Sequence, residues 1–126
     1  MLLKLLFIGL GGFMGANLRF LAGVFFDTRY GHLGFPIGTL IVNIVGCFLL
    51  GFIATLLEER LIGFPNARFL VTIGFLGSFT TFSTFSFESW RLIEEGSMGL
   101  AALNLGASVV LGGVAVVVGA ALARAL

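Results

Sequence analysis

The chain has 126 residues, of which 59% are hydrophobic and only 10% charged, with a net charge of +1. A soluble domain carries about 25% charged residues, so this composition cannot coat a globule with polar surface, and a soluble fold is excluded. The near-neutral balance offers no basic patch for nucleic acid, and one Cys with one His allows neither an internal disulfide nor a four-ligand zinc site.

The few charges punctuate the chain. The first uncharged run, Leu5 to Leu18, is interrupted by Arg19 and resumes from Phe20 to Phe26. A membrane-crossing helix needs about 20 mostly apolar residues, which this run supplies only if Arg19 is tolerated in or near the membrane. A signal peptide with Lys4 as its basic flank is the alternative, but the run continues past Arg19 and no small-residue cleavage site follows a polar region. The next runs, Gly31 to Leu57, Phe69 to Phe87 and Gly96 to Ala123, each meet the length requirement outright. The expectation is an all-α integral membrane protein: one domain over 1–126 with four transmembrane helices, at about 3–26, 36–57, 68–92 and 98–123. Its connections are short and polar, opening at Asp27-Thr28-Arg29, at Glu58 through Arg68, and at Arg91 through Ser97. They leave no room for a soluble domain, so function resides in the helices.

If the spans alternate, Lys4, Arg60, Arg68 and Arg124 share one side of the membrane. Arg29 and Arg91 lie on the other, with Arg19 buried nearer that end. This is a weak bias under the positive-inside rule. It leaves open either a single orientation or insertion both ways round, and the second would permit an antiparallel homodimer. A lone four-helix bundle fills its own centre with side chains. The 19 glycines point instead to close helix contacts and an oligomer, with small-xxx-small pairs at Gly11/Gly15 and Gly34/Gly38. Gly106, Gly112, Gly113 and Gly119 add to this on the last span.

Polar groups at membrane depth are costly unless satisfied, and are functional candidates for that reason. The acids Asp27, Glu58, Glu59, Glu88, Glu94 and Glu95 all fall at span ends, so no carboxylate is placed to carry protons through the membrane. What remains is neutral. On the second span Thr39, Asn43 and Gly46 share one helical face, and on the fourth Asn104 and Ser108 are four apart. Each can serve as interhelical glue, and Asn43 can also donate two hydrogen bonds to an anion. On the third span, Ile73 to Phe87 reads IGFLGSFTTFSTFSF, with almost no strong helix formers. A helix broken near Gly77 to Thr80 is expected, since non-helical backbone at this depth survives only inside protein or beside a cavity. Freed carbonyls there can coordinate a cation. Phe82 and Phe85, three apart, project from one side. The positive edges of their rings can stand beside hydroxyl and amide donors and replace part of an anion's water shell.

Gly11 to Phe20 (GGFMGANLRF) resembles the G-G-x-x-G-A-x-x-R-[YF] opening of the Fluc (CrcB-type) fluoride channels. Gly38 to Gly46 (GTLIVNIVG) is similar to their G-T-x-x-V-N-x-x-G motif, and Gly74 to Ser86 (GFLGSFTTFSTFS) matches their most distinctive segment. The likeness covers essentially the whole chain. It implies a passive channel exporting fluoride across the cell (inner) membrane as an antiparallel, dual-topology homodimer with two pores and a central sodium ion. By the same resemblance Asn43 lines the pore and donates to fluoride, Phe82 and Phe85 present ring edges, Ser83 and Thr84 supply hydroxyls, and Ser108 is a pore hydroxyl. Backbone carbonyls of Gly77 and Thr80 hold the sodium, and Arg19 sits near a vestibule. Some members of the family carry Tyr where this chain has Asn104, a further expected pore position. The competing reading is a small multidrug-resistance-type, proton-coupled exporter, which needs a glutamate embedded in the first span; this span has none. A structural membrane subunit is a third reading. An enzyme is least expected, for the chain has no Ser-His-Asp set, metal cluster or phosphate loop.

Overall fold

A computed structural model describes residues 1–60 and 65–126. It is all helical over those residues, and four helices are long and apolar enough to cross a membrane: Leu2–Leu33, Ile37–Glu59, Pro65–Glu94 and Met98–Ala125. The first stays α-helical through Tyr30 and ends in a short 3-10 turn, Gly31–Leu33. Asp27, Thr28 and Arg29, read from the sequence as the opening of a connection, are therefore the last turn of a helix. Part of the second polar connection, 61–64, lies outside the described residues.

The turn into the second helix explains one misreading. Gly34 has φ +64, a left-handed conformation that glycine adopts without strain, and Pro36 stands at the N-cap just before Ile37. Gly34 is thus a turn residue and cannot share a helix face with Gly38; spacing alone cannot distinguish the two roles. Gly38 faces the first helix, where an added Cβ would come within 3.5 Å of the Gly23 backbone. Gly96, with φ +78, reverses the chain between the third and fourth spans.

The bundle is built from two tight pairs. The first helix packs on the first half of the third span, and the second helix packs on the fourth. In the first pair a Cβ at Gly11 would run into the backbone of Leu70 and Phe75, and one at Gly15 into Phe75. In the second, Gly51 lies against the backbone of Val116, and Gly119 against that of Phe48 and Phe52. Backbones approach this closely in lipid only where side chains are absent. Gly106 and Gly113 meet nothing within 4 Å in their own chain.

Polar contacts at the helix ends fix the topology. Lys4 Nζ lies 5.0 Å from the centre of the Phe69 ring, a cation–π distance. Arg124 Nε donates to Glu59 Oε1 at 3.0 Å, and Arg60 donates to the Arg124 carbonyl. The start of helix one and of span three, and the ends of helices two and four, therefore share one face. At the opposite end Thr39 Oγ1 donates to Glu88 Oε1 at 2.8 Å.

The third span departs most from a regular helix. After one α-turn, Arg68–Leu76 is π-wound, followed by an α-turn at Gly77–Phe79. Thr80 and Thr81 are extended, with ψ 159 and 118, and a second α-segment runs Phe82–Glu94. The helix is broken, at the last position of the expected window and one residue beyond it.

Candidate functional site

The break leaves backbone groups to satisfy, and the sequence does so locally. In a continuous helix the Thr81 N–H would bond the Gly77 carbonyl and the Thr84 N–H would bond the Thr80 carbonyl. Here Thr81 N–H donates to Asn43 Oδ1 at 2.8 Å, and Thr84 N–H donates to the Thr81 hydroxyl at 3.2 Å. The carbonyls of Gly77 and Thr80 thereby lose the donors a continuous helix would supply. Both residues line a cavity. Two neutral backbone oxygens per chain are the donor type that hard cations such as sodium accept, so the pair fits the ion that the sequence resemblance implies.

Asn43 closes the same ring from its other side. Its Nδ2 donates to the Thr81 carbonyl at 2.9 Å, so the amide grips the Thr81 backbone at both ends. One of its two N–H groups is spent on this bond, leaving one for a ligand. A glycine makes the approach possible: a Cβ at Gly46 would overlap Thr80 Cγ2.

Two cavities flank the grip. The inner one, about 320 Å³, is walled by Asn43, Phe82, Phe85 and Ser108 together with Gly77 and Thr80. The Phe82 and Phe85 rings stand 5.8 Å apart with a tilt of 52°. Phe85 is 8% exposed and anchored in the chain, whereas Phe82 is 80% exposed. The Ser108 hydroxyl is buried without a hydrogen-bond partner and is free to serve a ligand. The wall is otherwise mostly apolar, with Leu50, Leu76 and Val109. The outer cavity, about 220 Å³, holds Arg19, Thr39, Thr84, Glu88 and Asp27. Its only cation among the described lining residues is Arg19.

Of the ten residues expected from the sequence at the pore, vestibule and sodium site, six converge on the inner cavity, and Arg19 and Thr84 on the outer one. Ser83 is exposed and lines neither. Asn104 is 1% exposed, lines neither cavity, and donates from Nδ2 to Ser89 Oγ at 2.9 Å. Ser89 in turn donates to the Phe85 carbonyl at 2.8 Å. Asn104 thus ties the fourth helix to the segment carrying Phe85. Sequence reading missed Thr72, Cys47 and Thr81 in the inner wall, and Glu88 in the outer one, whose Oε2 is buried and unpartnered. The signal for Thr81 was present, since it directly follows the expected break.

The chain is similar to known proteins along almost its whole length. Residues 6–120 match the family described as CrcB-like protein, Camphor Resistance (CrcB). A protein of Solibacter usitatus named as a fluoride-specific ion channel is 45% identical, with 97% of this chain and 99% of that protein covered. A protein of the same name from Maridesulfovibrio salexigens is also 45% identical, over 96% of this chain and 95% of its own. One from Clostridium perfringens (strain 13) is 43% identical over 99% and 97% respectively.

Proposed function

The chain belongs to the CrcB-like protein family, and on that premise we propose that it is a fluoride-selective passive channel that exports fluoride from the cytoplasm across the cell (inner) membrane. The observation that carries the proposal is the meeting of Asn43, Phe82, Phe85 and Ser108 around one cavity. These groups supply an amide N–H, a hydroxyl and two ring rims. They can replace an anion's hydration without a fixed charge, strong enough to admit the ion and weak enough to release it. Arg19 offers an entering anion the one positive charge among the described residues of the outer cavity, against the carboxylates of Asp27 and Glu88, and Thr84 offers a hydroxyl there. The exporter reading finds no glutamate in the first helix to work with.

The functional unit is an antiparallel homodimer. Phe82, Ser83 and Thr84 are exposed on a single chain although they belong to a membrane-spanning segment. Non-helical backbone at membrane depth is tolerated only inside protein or beside a cavity, so a second copy covers this exposed face next to the break. A two-fold pair repeats each cavity once, giving two pores. The Gly77 and Thr80 carbonyls of both copies would hold a sodium ion at the centre, where its charge ties the subunits together. The weak charge bias between the two membrane faces is what insertion in both orientations requires.

A fluoride-sensitive host lacking its own exporter tests the reading. Expression of this chain restores growth in fluoride; unchanged sensitivity, with the protein present in the membrane, contradicts it.

A further inference from the structure

The two cavities meet at one residue. Among the described residues Thr81 alone lines both. Its backbone is extended, at φ −150 and ψ 118, and is held at both ends by the Asn43 amide. Its hydroxyl donates to Thr84 Oγ1 at 3.0 Å and lies 3.4 Å from Ser83 Oγ. Thr81 is 8% exposed, although the next three residues are exposed. A β-branched side chain is stiff about χ1, so its methyl and its hydroxyl stand as fixed walls, with only the hydroxyl proton free to turn.

We propose that Thr81 is the constriction between the cavities and contacts the ion directly, so that an anion crosses from the Arg19 cavity to the Phe82–Phe85 cavity past this side chain. The inference rests on the channel reading and adds to it the position of the selective step. As the ion arrives, the Thr81 hydroxyl turns its proton from Thr84 Oγ1 to the ion and turns it back once the ion has left. No covalent bond changes. The methyl sets the width of the gap and rejects a larger halide.

The competing role is a helix cap, since Thr81 Oγ1 accepts from the Thr84 N–H. Thr81→Ser and Thr81→Asn separate the two roles, because both residues cap at least as well as Thr while altering the gap in opposite directions. Each variant is purified as the assembled channel, matched to wild type by elution volume, and reconstituted into vesicles loaded with fluoride or chloride. T81S, lacking the methyl, is expected to raise chloride efflux by about tenfold, the lower end of what one methyl is worth in discrimination. T81N, with the gap filled, is expected to slow fluoride efflux by about tenfold or more. Wild-type rates and halide ratio in both variants would leave Thr81 a cap and overturn the inference. Failure of both to assemble despite their caps would overturn it too, by making the side chain a packing element. Wild-type vesicles that release no fluoride would overturn the channel reading, and this inference with it.

Discussion

Asn43 illustrates how one side chain can carry both fold and chemistry. Its amide stands in for the helical partners that the Thr81 backbone lost at the break, and still has an N–H to offer the cavity. Asn43→Leu would leave the Thr81 N–H and carbonyl unpaired, at about 1–3 kcal/mol for each group. Thermal aggregation in detergent is expected to shift downward, with efflux lost; a variant as stable as wild type would refute the bracing role. Phe82 is different, because its ring is largely exposed on its own chain. Phe82→Ile should slow fluoride efflux while the assembled species elutes unchanged, and undiminished flux would remove the ring-edge role. Asn104 sets a contrast. Lying outside both cavities, it contributes chiefly a hydrogen bond to Ser89, and such interhelical bonds average about 0.6 kcal/mol in membranes. Asn104→Leu should therefore change efflux by no more than about threefold. A collapse of flux would put Asn104 back among the ion contacts.

At the scale of elements, the charge-free runs made the four helices legible, because lipid forbids long stretches of anything else. The break in the third span was legible within a residue or two, from the poor helix formers between Gly77 and Thr81. The π-wound stretch Arg68–Leu76 was not. It has no composition of its own, and its winding accompanies close packing of Gly74 on Gly11 and the Ile8 carbonyl, a tertiary contact. The partner of Asn104 was hidden for the same reason: Ser89 lies on another segment and becomes a neighbour only once the helices pack. Gly46 tests the contact that seats the break. Gly46→Ala would drive a methyl into Thr80 Cγ2, and overpacking of this kind costs about 1–3 kcal/mol. A lower midpoint of thermal aggregation is expected, together with slower efflux; a variant matching wild type in both would show that the break can shift at no cost.

For the whole molecule, neutrality is the unifying property. The inner cavity holds no charged residue among those described, the faces of the bundle differ little in basic residues, and the break exposes hydroxyls and carbonyls that a second copy would cover. If the Gly77 and Thr80 carbonyls bind sodium, protein purified and reconstituted without that ion should lose most of its efflux and regain it when sodium is present during assembly. Equal activity in both preparations would remove the ion from the account. The central claim is that uncharged donors and ring rims carry fluoride alone. Vesicles containing the purified protein and loaded in parallel with fluoride and chloride test it most directly. Fast fluoride release is expected, with chloride retained at the level of protein-free vesicles; comparable release of both ions would show that these neutral groups do not select fluoride.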